Sequence, residues 1–90
     1  MKINVDEEIY NIAFQHDKDH KWTTAEIHEP TDTGVDYVWV GVTECSPKDT
    51  YNKILGRKIA LSRAMENADF PKEVRTKIWN ALKERGMSLF

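Results

Sequence analysis

The chain has 90 residues and a formal net charge of −2, with 40% hydrophobic and 31% charged residues. This length suits one domain with a modest core, and no apolar run approaches the ~18 residues of a membrane span. We therefore expect one soluble domain over residues 1–90, without a signal peptide and without a membrane partner.

The N-terminal half predicts a small antiparallel sheet over about residues 9–44. Residues 1–4 are expected to be a frayed or an edge segment. Residues 9–14 alternate in a way that favours a strand, although the spacing of Ile9 and Ala13 leaves a short helix open. The polar stretch that follows, HDKDH, is expected to be a solvated turn. His16 and His20 suggest a metal, but the sequence lacks the second, spaced ligand pair of a zinc site.

Two further strands are predicted before the first helix. Residues 22–28 are rich in strand-forming side chains, and residues 30–34 form a loop of turn-favouring residues. Residues 35–43 carry apolar side chains on both faces, which predicts a central strand or one covered on both sides. Gly41 allows a bulge or a close contact there. Residues 22–43 should therefore form a β-hairpin.

The longest helical pattern runs over about residues 47–68. Ser46 suits the N-cap, Pro47 the first helical position and Asp49 the third residue of the helix. One broad face should pack on the sheet, and it carries the apolar residues Tyr51, Ile54, Leu55, Ile59, Leu61 and Met65. A second face, with Ala60 and Ala64, has Gly56 at its edge and allows another backbone to come close.

A second helix is predicted over about residues 71–85, capped by Asp69 and ended by Gly86. Its core stripe should be Val74, Ile78, Ala81 and Leu82, with Trp79 at the margin. The expected fold class is therefore α+β, with a small antiparallel sheet followed by two helices.

Several kinds of chemistry are missing from the sequence. It has no phosphate loop, no dinucleotide fingerprint, no paired-cysteine metal site and no recognisable Ser/His/Asp arrangement. Three histidines are few for acid–base catalysis, and the single cysteine, Cys45, excludes an internal disulfide and fits a reducing cytoplasm. We predict a protein that is not an enzyme and needs no cofactor.

The strongest candidate binding residues are cations of the first helix. Residues 1–45 carry three basic and ten acidic side chains, and residues 46–90 carry ten basic and five acidic ones. This asymmetry favours self-association or an anionic ligand, unless the charges interleave into an ordinary solvated surface. Lys53 and Arg57 share one helix face and suit phosphate. Arg63 points elsewhere, so it would join them only from a second subunit or across a break at Gly56.

The sequence CSPKDTYNKILGRKIALSRAM resembles a pattern found in short, mostly uncharacterised bacteriophage and prophage proteins. The match covers about residues 35–66. Its elements here are Cys45, Pro47, Asp49, Tyr51, Gly56, Arg57, Ala60, Arg63 and Ala64. By analogy of layout and genome context, the resemblance implies a counter-defence factor in the host cytoplasm, such as an anti-CRISPR inhibitor or an anti-Thoeris sponge.

The leading functional hypothesis is stoichiometric binding of a host immune protein or of an anionic nucleotide signal by a homo-oligomer. For a nucleotide, Lys53 and Arg57 would hold phosphate, Arg63 would add charge, and Tyr51 or Trp39 would stack a base. The alternative is a nucleic-acid-binding phage accessory protein that uses the basic helices, although the overall acidity of the chain argues against it. A purely structural phage protein or an enzyme subunit would bind neither a ligand nor DNA.

Overall fold

The computed structural model describes residues 1–45 and 52–86. The elements are β1 (Lys2–Val5), β2 (Glu8–Asp17), β3 (Trp22–Glu29), β4 (Tyr37–Glu44), α1 (Lys53–Asn67) and α2 (Lys72–Glu84). A four-stranded antiparallel sheet therefore precedes two helices, and the predicted α+β class is confirmed. The sheet begins earlier than predicted because the N-terminal residues form the edge strand β1.

The strands lie side by side in chain order, β1-β2-β3-β4, and each pairs with the next. Residues 9–14 belong to β2, so the strand rather than the short helix is present. The hairpin of β3 and β4 is confirmed by the pairs Thr24 with Val42 and Ile27 with Trp39. The connection between β1 and β2 is the pair Asp6 and Glu7, both with positive φ, as the tightest hairpin turns require.

The prediction that β4 is central or covered on both sides is wrong, because β4 is an edge strand with one exposed face. Val38, Val40 and Val42 on that face are 47%, 40% and 46% exposed. Valine favours a strand on either face of a sheet. The apolar pattern therefore identified the strand and did not identify what covers it.

The opposite, inner face of the sheet forms one core with both helices. Its buried strand residues are Ile3, Val5, Tyr10, Ile12, Thr23, Ala25 and Ile27. The helices contribute the buried residues Ala60, Leu61, Ala64, Met65, Ile78 and Leu82. Within residues 1–45 and 52–86, neither helix is long and apolar enough to cross a membrane.

Helix α1 meets the sheet through its small residues rather than through the whole predicted apolar stripe. A Cβ atom added to Gly41 of β4 would lie 2.0 Å from the Ala60 carbonyl oxygen and 2.4 Å from the Ala64 nitrogen. The helix backbone therefore rests directly on the strand, which is the close contact that Gly41 suggested. Ile54 and Leu55 are exposed, because the buried residues of α1 begin only at Ala60.

Both ends of α1 are fixed by hydrogen bonds. Asn52 is the N-cap, and its side-chain oxygen accepts the Leu55 N–H at 3.1 Å. Helix α1 therefore begins at Lys53, later than the predicted start near residue 47, because Asn52 has an extended backbone. The residues predicted to cap that earlier start, Ser46, Pro47 and Asp49, lie outside the described residues. At the other end, the Phe70 N–H donates to the Met65 carbonyl at 3.2 Å and the Asp69 N–H to the Glu66 carbonyl at 3.0 Å. These two bonds form a Schellman motif with Asp69 in the left-handed conformation.

Asp69 therefore ends α1 and does not cap α2, which corrects the predicted role. The N-cap of α2 is Pro71, which makes no side-chain capping hydrogen bond. The predicted core stripe of α2 is confirmed by buried Ile78 and Leu82, and Gly86 ends the helix with positive φ. Lys77 of α2 contacts both carboxylate oxygens of Asp6 at 2.7 Å, next to the β1 edge of the sheet.

Candidate functional site

The first turns of α1 lie over the ends of β2 and β3. A Cβ atom added to Gly56 would lie 2.4 Å from the hydroxyl oxygen of Thr23, a buried residue of β3. The missing side chain at Gly56 therefore allows α1 to approach the sheet at this point. This packing role explains a glycine inside a helix, where it costs roughly 1 kcal/mol relative to alanine. The approach brings the next residue, Arg57, against His16 of β2.

Arg57, His16 and Thr23 form a chain of hydrogen bonds. Arg57 Nε donates to His16 Nε2 at 3.1 Å, and His16 Nδ1 lies 3.2 Å from Thr23 Oγ1. A guanidinium can only donate, so His16 Nε2 must be the unprotonated nitrogen. The proton of the neutral ring is then on Nδ1, facing the threonine hydroxyl.

Burial lowers the pKa of His16 below its ordinary value of 6.5, and the positive charges of Arg57 and Lys53 lower it further. His16 is therefore neutral at pH 7 and remains able to accept from Arg57. This bond holds the guanidinium by its Nε. Among the described residues, the two terminal amino groups of Arg57 have no acceptor, and Lys53 has no partner.

We call Lys53, Arg57 and His16 the basic corner. Lys53 lies one helical turn before Arg57, so the two cations are neighbours on the helix surface. The free N–H groups at the start of α1 add a partial positive charge. A guanidinium fork beside an ammonium group can hold a phosphate or a carboxylate, which is what sequence analysis expected of Lys53 and Arg57.

Arg63 lies elsewhere, as its helical position predicted. Arg63 Nη1 donates to the Val42 carbonyl at 2.7 Å, and Asn67 Nδ2 donates to the Val40 carbonyl at 2.6 Å. Both acceptors belong to the free edge of β4, where unpaired backbone groups could otherwise form hydrogen bonds with a strand of another molecule. Arg63 therefore covers a sheet edge of its own chain and is not brought to the basic corner.

Trp39 is also separate from the basic corner. Its ring lies 5.9 Å from Tyr37 and 5.3 Å from Phe70, and Phe70 lies 5.4 Å from Tyr10. Trp39 pairs with Ile27, four residues along β3 from Thr23, which is a distance of about 13 Å. A base stacked on Trp39 would thus be far from Arg57. The other predicted stacking residue, Tyr51, lies outside the described residues.

His16 and Thr23 are the site residues that sequence analysis missed. His16 was placed in the polar connector, but it belongs to β2 and contacts Arg57. The signal was the alternation itself, because Tyr10, Ile12 and Phe14 place His16 on the same inner face. The turn that follows is solvated, as expected, and Asp17 accepts from His20 Nδ1 at 2.8 Å. No metal-binding group of three His, Cys, Asp or Glu occurs among residues 1–45 and 52–86.

The lowered pKa of His16 predicts an acid-dependent loss of stability. Unfolded His16 takes up a proton near pH 6.5, whereas folded His16 does so only at a lower pH. Because the unfolded state then binds more protons, the free energy of unfolding should fall as the pH decreases below about 6.5. Urea unfolding between about pH 7.5 and pH 5 measures this.

The test variant is His16→Gln, which removes this ring. His16→Gln should flatten the dependence on pH. Equal slopes in the wild type and in His16→Gln would contradict the assignment of a neutral, hydrogen-bonded His16.

Comparison of the chain with protein-family models, with curated proteins and with solved structures finds no match in any of the three.

Proposed function

We propose that this protein is a non-enzymatic binding protein that holds a phosphate-bearing ligand, in fixed stoichiometry, at the basic corner. The observation that carries the proposal is Arg57, which is anchored through Nε while its terminal amino groups and Lys53 have no acceptor among the described residues. An oxyanion would accept hydrogen bonds from the two terminal amino groups of Arg57, and the bond from Arg57 Nε to His16 would stay in place. Preorganisation of this kind lowers the entropy cost of binding.

The hydrogen bonds of His16 support a role in binding rather than in catalysis. Both ring nitrogens of His16 have partners, Arg57 and Thr23. A general acid or base needs a nitrogen within hydrogen-bond reach of a reacting group. His16 instead orients the cation that would touch the ligand.

The biological setting of the proposal comes from the sequence pattern. The resemblance of residues 35–66 to phage and prophage proteins supports a counter-defence factor that acts in the host cytoplasm. In this proposal, the protein sequesters a nucleotide signal of host immunity and does so as a homo-oligomer. Sequestration demands tight binding and no turnover, which fits a site built from fixed cations.

The double substitution Lys53→Ala with Arg57→Ala should lower the affinity for such a nucleotide at least about 100-fold. Each charge-assisted hydrogen bond contributes roughly 1.5–3 kcal/mol, and about 1.4 kcal/mol corresponds to a factor of ten. Native mass spectrometry with a panel of cyclic and linear nucleotides identifies the ligand and the oligomeric state. Isothermal titration calorimetry then measures the affinity.

The matched control is Lys2→Ala with Arg85→Ala, which removes the same charge from two exposed positions, one in β1 and one just after α2, away from the basic corner. The control should bind like the wild type. A wild-type protein that gains no ligand mass from any nucleotide would reject sequestration. A corner variant that binds as tightly as the control would remove Lys53 and Arg57 from the site.

A second candidate function is binding of a host immune protein at the outer face of the sheet. Neither helix covers this face, and Val38, Val40, Val42 and Trp22 are each at least 40% exposed on it. Grouped exposed apolar side chains on a sheet mark an interaction surface more often than isolated ones do.

Val40→Lys should abolish capture of a host protein from a lysate while nucleotide binding stays unchanged. A lysine in the middle of the valine row places a charge in any apolar interface there, and its desolvation opposes binding. The matched control, Val35→Lys, changes a valine that is 68% exposed in the loop before β4. Equal capture by both variants would exclude the outer face.

A further inference from the structure

A groove of about 320 Å³ lies between α1 and α2, apart from the basic corner. Its principal lining residues are Ser62, Met65 and Glu66 of α1 and Lys72, Arg75 and Trp79 of α2. Glu66 is nine residues after Arg57, which is about 13 Å along the helix. The groove and the basic corner therefore occupy different parts of the helical layer.

Arg75 is the unusual residue of this groove. Its Nε atom is fully buried and has no hydrogen-bond acceptor among the described residues. A guanidinium keeps its charge at any physiological pH, so this donor cannot be neutralised by losing a proton. A buried donor without an acceptor is destabilising, and each such group in a folded protein calls for an explanation.

The neighbouring charges do not supply the acceptor. Glu66 lines the same groove, yet the described residues contain no ion pair between it and either Arg75 or Lys72. Lys72 likewise has no partner among these residues. Two cations thus line a groove that is also lined by Trp79 and by the buried Met65.

We propose that the groove between α1 and α2 is a second ligand site, which takes a small molecule that joins an oxyanion to an aromatic ring. Arg75 and Lys72 bind the oxyanion, since a charge-assisted bond to a guanidinium is among the strongest hydrogen bonds. Trp79 contacts the ring through stacking. The volume is at the lower end of small-molecule sites, which fits one ring system with one anionic group.

This site differs from the basic corner in the chemistry it selects. The corner presents Lys53 and Arg57, which suit the phosphate of a ligand. The groove places its cations near Trp79, so a ligand needs both an anionic group and an aromatic ring to bind there. A nucleoside monophosphate should therefore bind the groove better than either a nucleoside or inorganic phosphate.

The test is a titration of ¹⁵N-labelled wild-type protein with adenosine 5′-monophosphate, followed by NMR, with adenosine and inorganic phosphate as separate probes. The three tryptophans lie in different places, so their indole signals locate the ligand: Trp22 at the β2–β3 hairpin, Trp39 in the aromatic cluster and Trp79 in the groove. The expected result is a saturable shift of the Trp79 indole and Arg75 Nε signals, strongest with the monophosphate.

The matched variants are Arg75→Met and Arg85→Met. Arg75→Met should weaken binding of the monophosphate at least about tenfold, the loss expected for one charge-assisted hydrogen bond. It should also raise the melting temperature, because it removes a buried donor that has no acceptor. Arg85→Met, at the exposed end of α2, should change neither quantity.

Three results would overturn the proposal. Trp79 and Arg75 signals that do not move by about 10 mM monophosphate would mean that the groove does not bind this class of ligand. Shifts confined to the Arg57 signal would place the ligand at the basic corner instead. Unchanged binding by Arg75→Met would exclude the guanidinium from the site, and the titration of the wild type decides the matter if that variant does not fold.

Discussion

Gly41→Ala should destabilise the fold by more than about 3 kcal/mol, at the upper end of what overpacking costs. The new methyl group would lie 2.0 Å from the Ala60 carbonyl oxygen and 2.4 Å from the Ala64 nitrogen. Both are backbone atoms of α1, so no side-chain rotation relieves the clash. The helix would have to move away from β4, and the burial of Ala60, Leu61 and Ala64 would decrease with it.

Urea unfolding monitored by circular dichroism measures this effect, and Gly34→Ala provides the matched control. An alanine at Gly34 meets nothing within 4 Å, but its φ of 81° lies in the left-handed region. The control should therefore cost about 1–2 kcal/mol through backbone strain alone. A Gly41→Ala variant no less stable than Gly34→Ala would show that α1 does not rest on β4 at this glycine.

Phe70→Ala should cost about 2–4 kcal/mol, somewhat less than a fully buried phenylalanine because Phe70 is only partly buried. Phe70 follows the end of α1 and packs against Tyr10 of β2 and Trp39 of β4, with ring distances of 5.4 Å and 5.3 Å. The ring therefore connects the turn between the helices to two strands that are not neighbours in the sheet. Removing the ring leaves a cavity, and the turn that sets the direction of α2 loses its contact with the sheet.

Tryptophan fluorescence during urea unfolding reports this change, since Trp39 is in edge contact with Phe70. Phe70→Leu is the control, because leucine retains much of the apolar volume and loses only the aromatic geometry. We expect Phe70→Leu to recover more than half of the lost stability. A Phe70→Ala variant within about 0.5 kcal/mol of the wild type would be typical of a surface position and would exclude this role.

The sequence predicted those parts of the fold that depend on local patterning. Alternation predicted the hairpin of β3 and β4, and helical spacing predicted α2 with its core residues Ile78 and Leu82. The position of β4 at the edge was not predictable in this way. Strand order depends on which hairpins form and on where the helices lie, and valine is equally suited to a covered or an exposed face.

The face of α1 that packs on the sheet is a second feature that the sequence did not fully predict. The largest apolar residues predicted a face that includes Ile54 and Leu55, but the helix rests on the sheet through Ala60 and Ala64. Two glycines, Gly41 and Gly56, determine this contact, and their roles depend on the register of the helix over the strands. That register is a tertiary property, so the sequence indicated only that a close approach was available.

The sequence likewise predicted only part of the candidate site. Helical spacing placed Lys53 beside Arg57 and placed Arg63 on another side, where the structure has it bonded to the Val42 carbonyl. The partner of Arg57 was not predictable, because His16 is 41 residues away in the chain. A contact across that separation depends on how the helix crosses the sheet.

The arrangement of strands in chain order has a consequence for how the protein folds during synthesis. Each strand pairs with the strand made just before it, so every pairing closes only a short loop, which favours rapid folding. The sheet can therefore assemble while the chain leaves the ribosome. Its apolar inner face remains uncovered until α1 and α2 have emerged, and this interval is when the nascent chain is most exposed to aggregation and to chaperones.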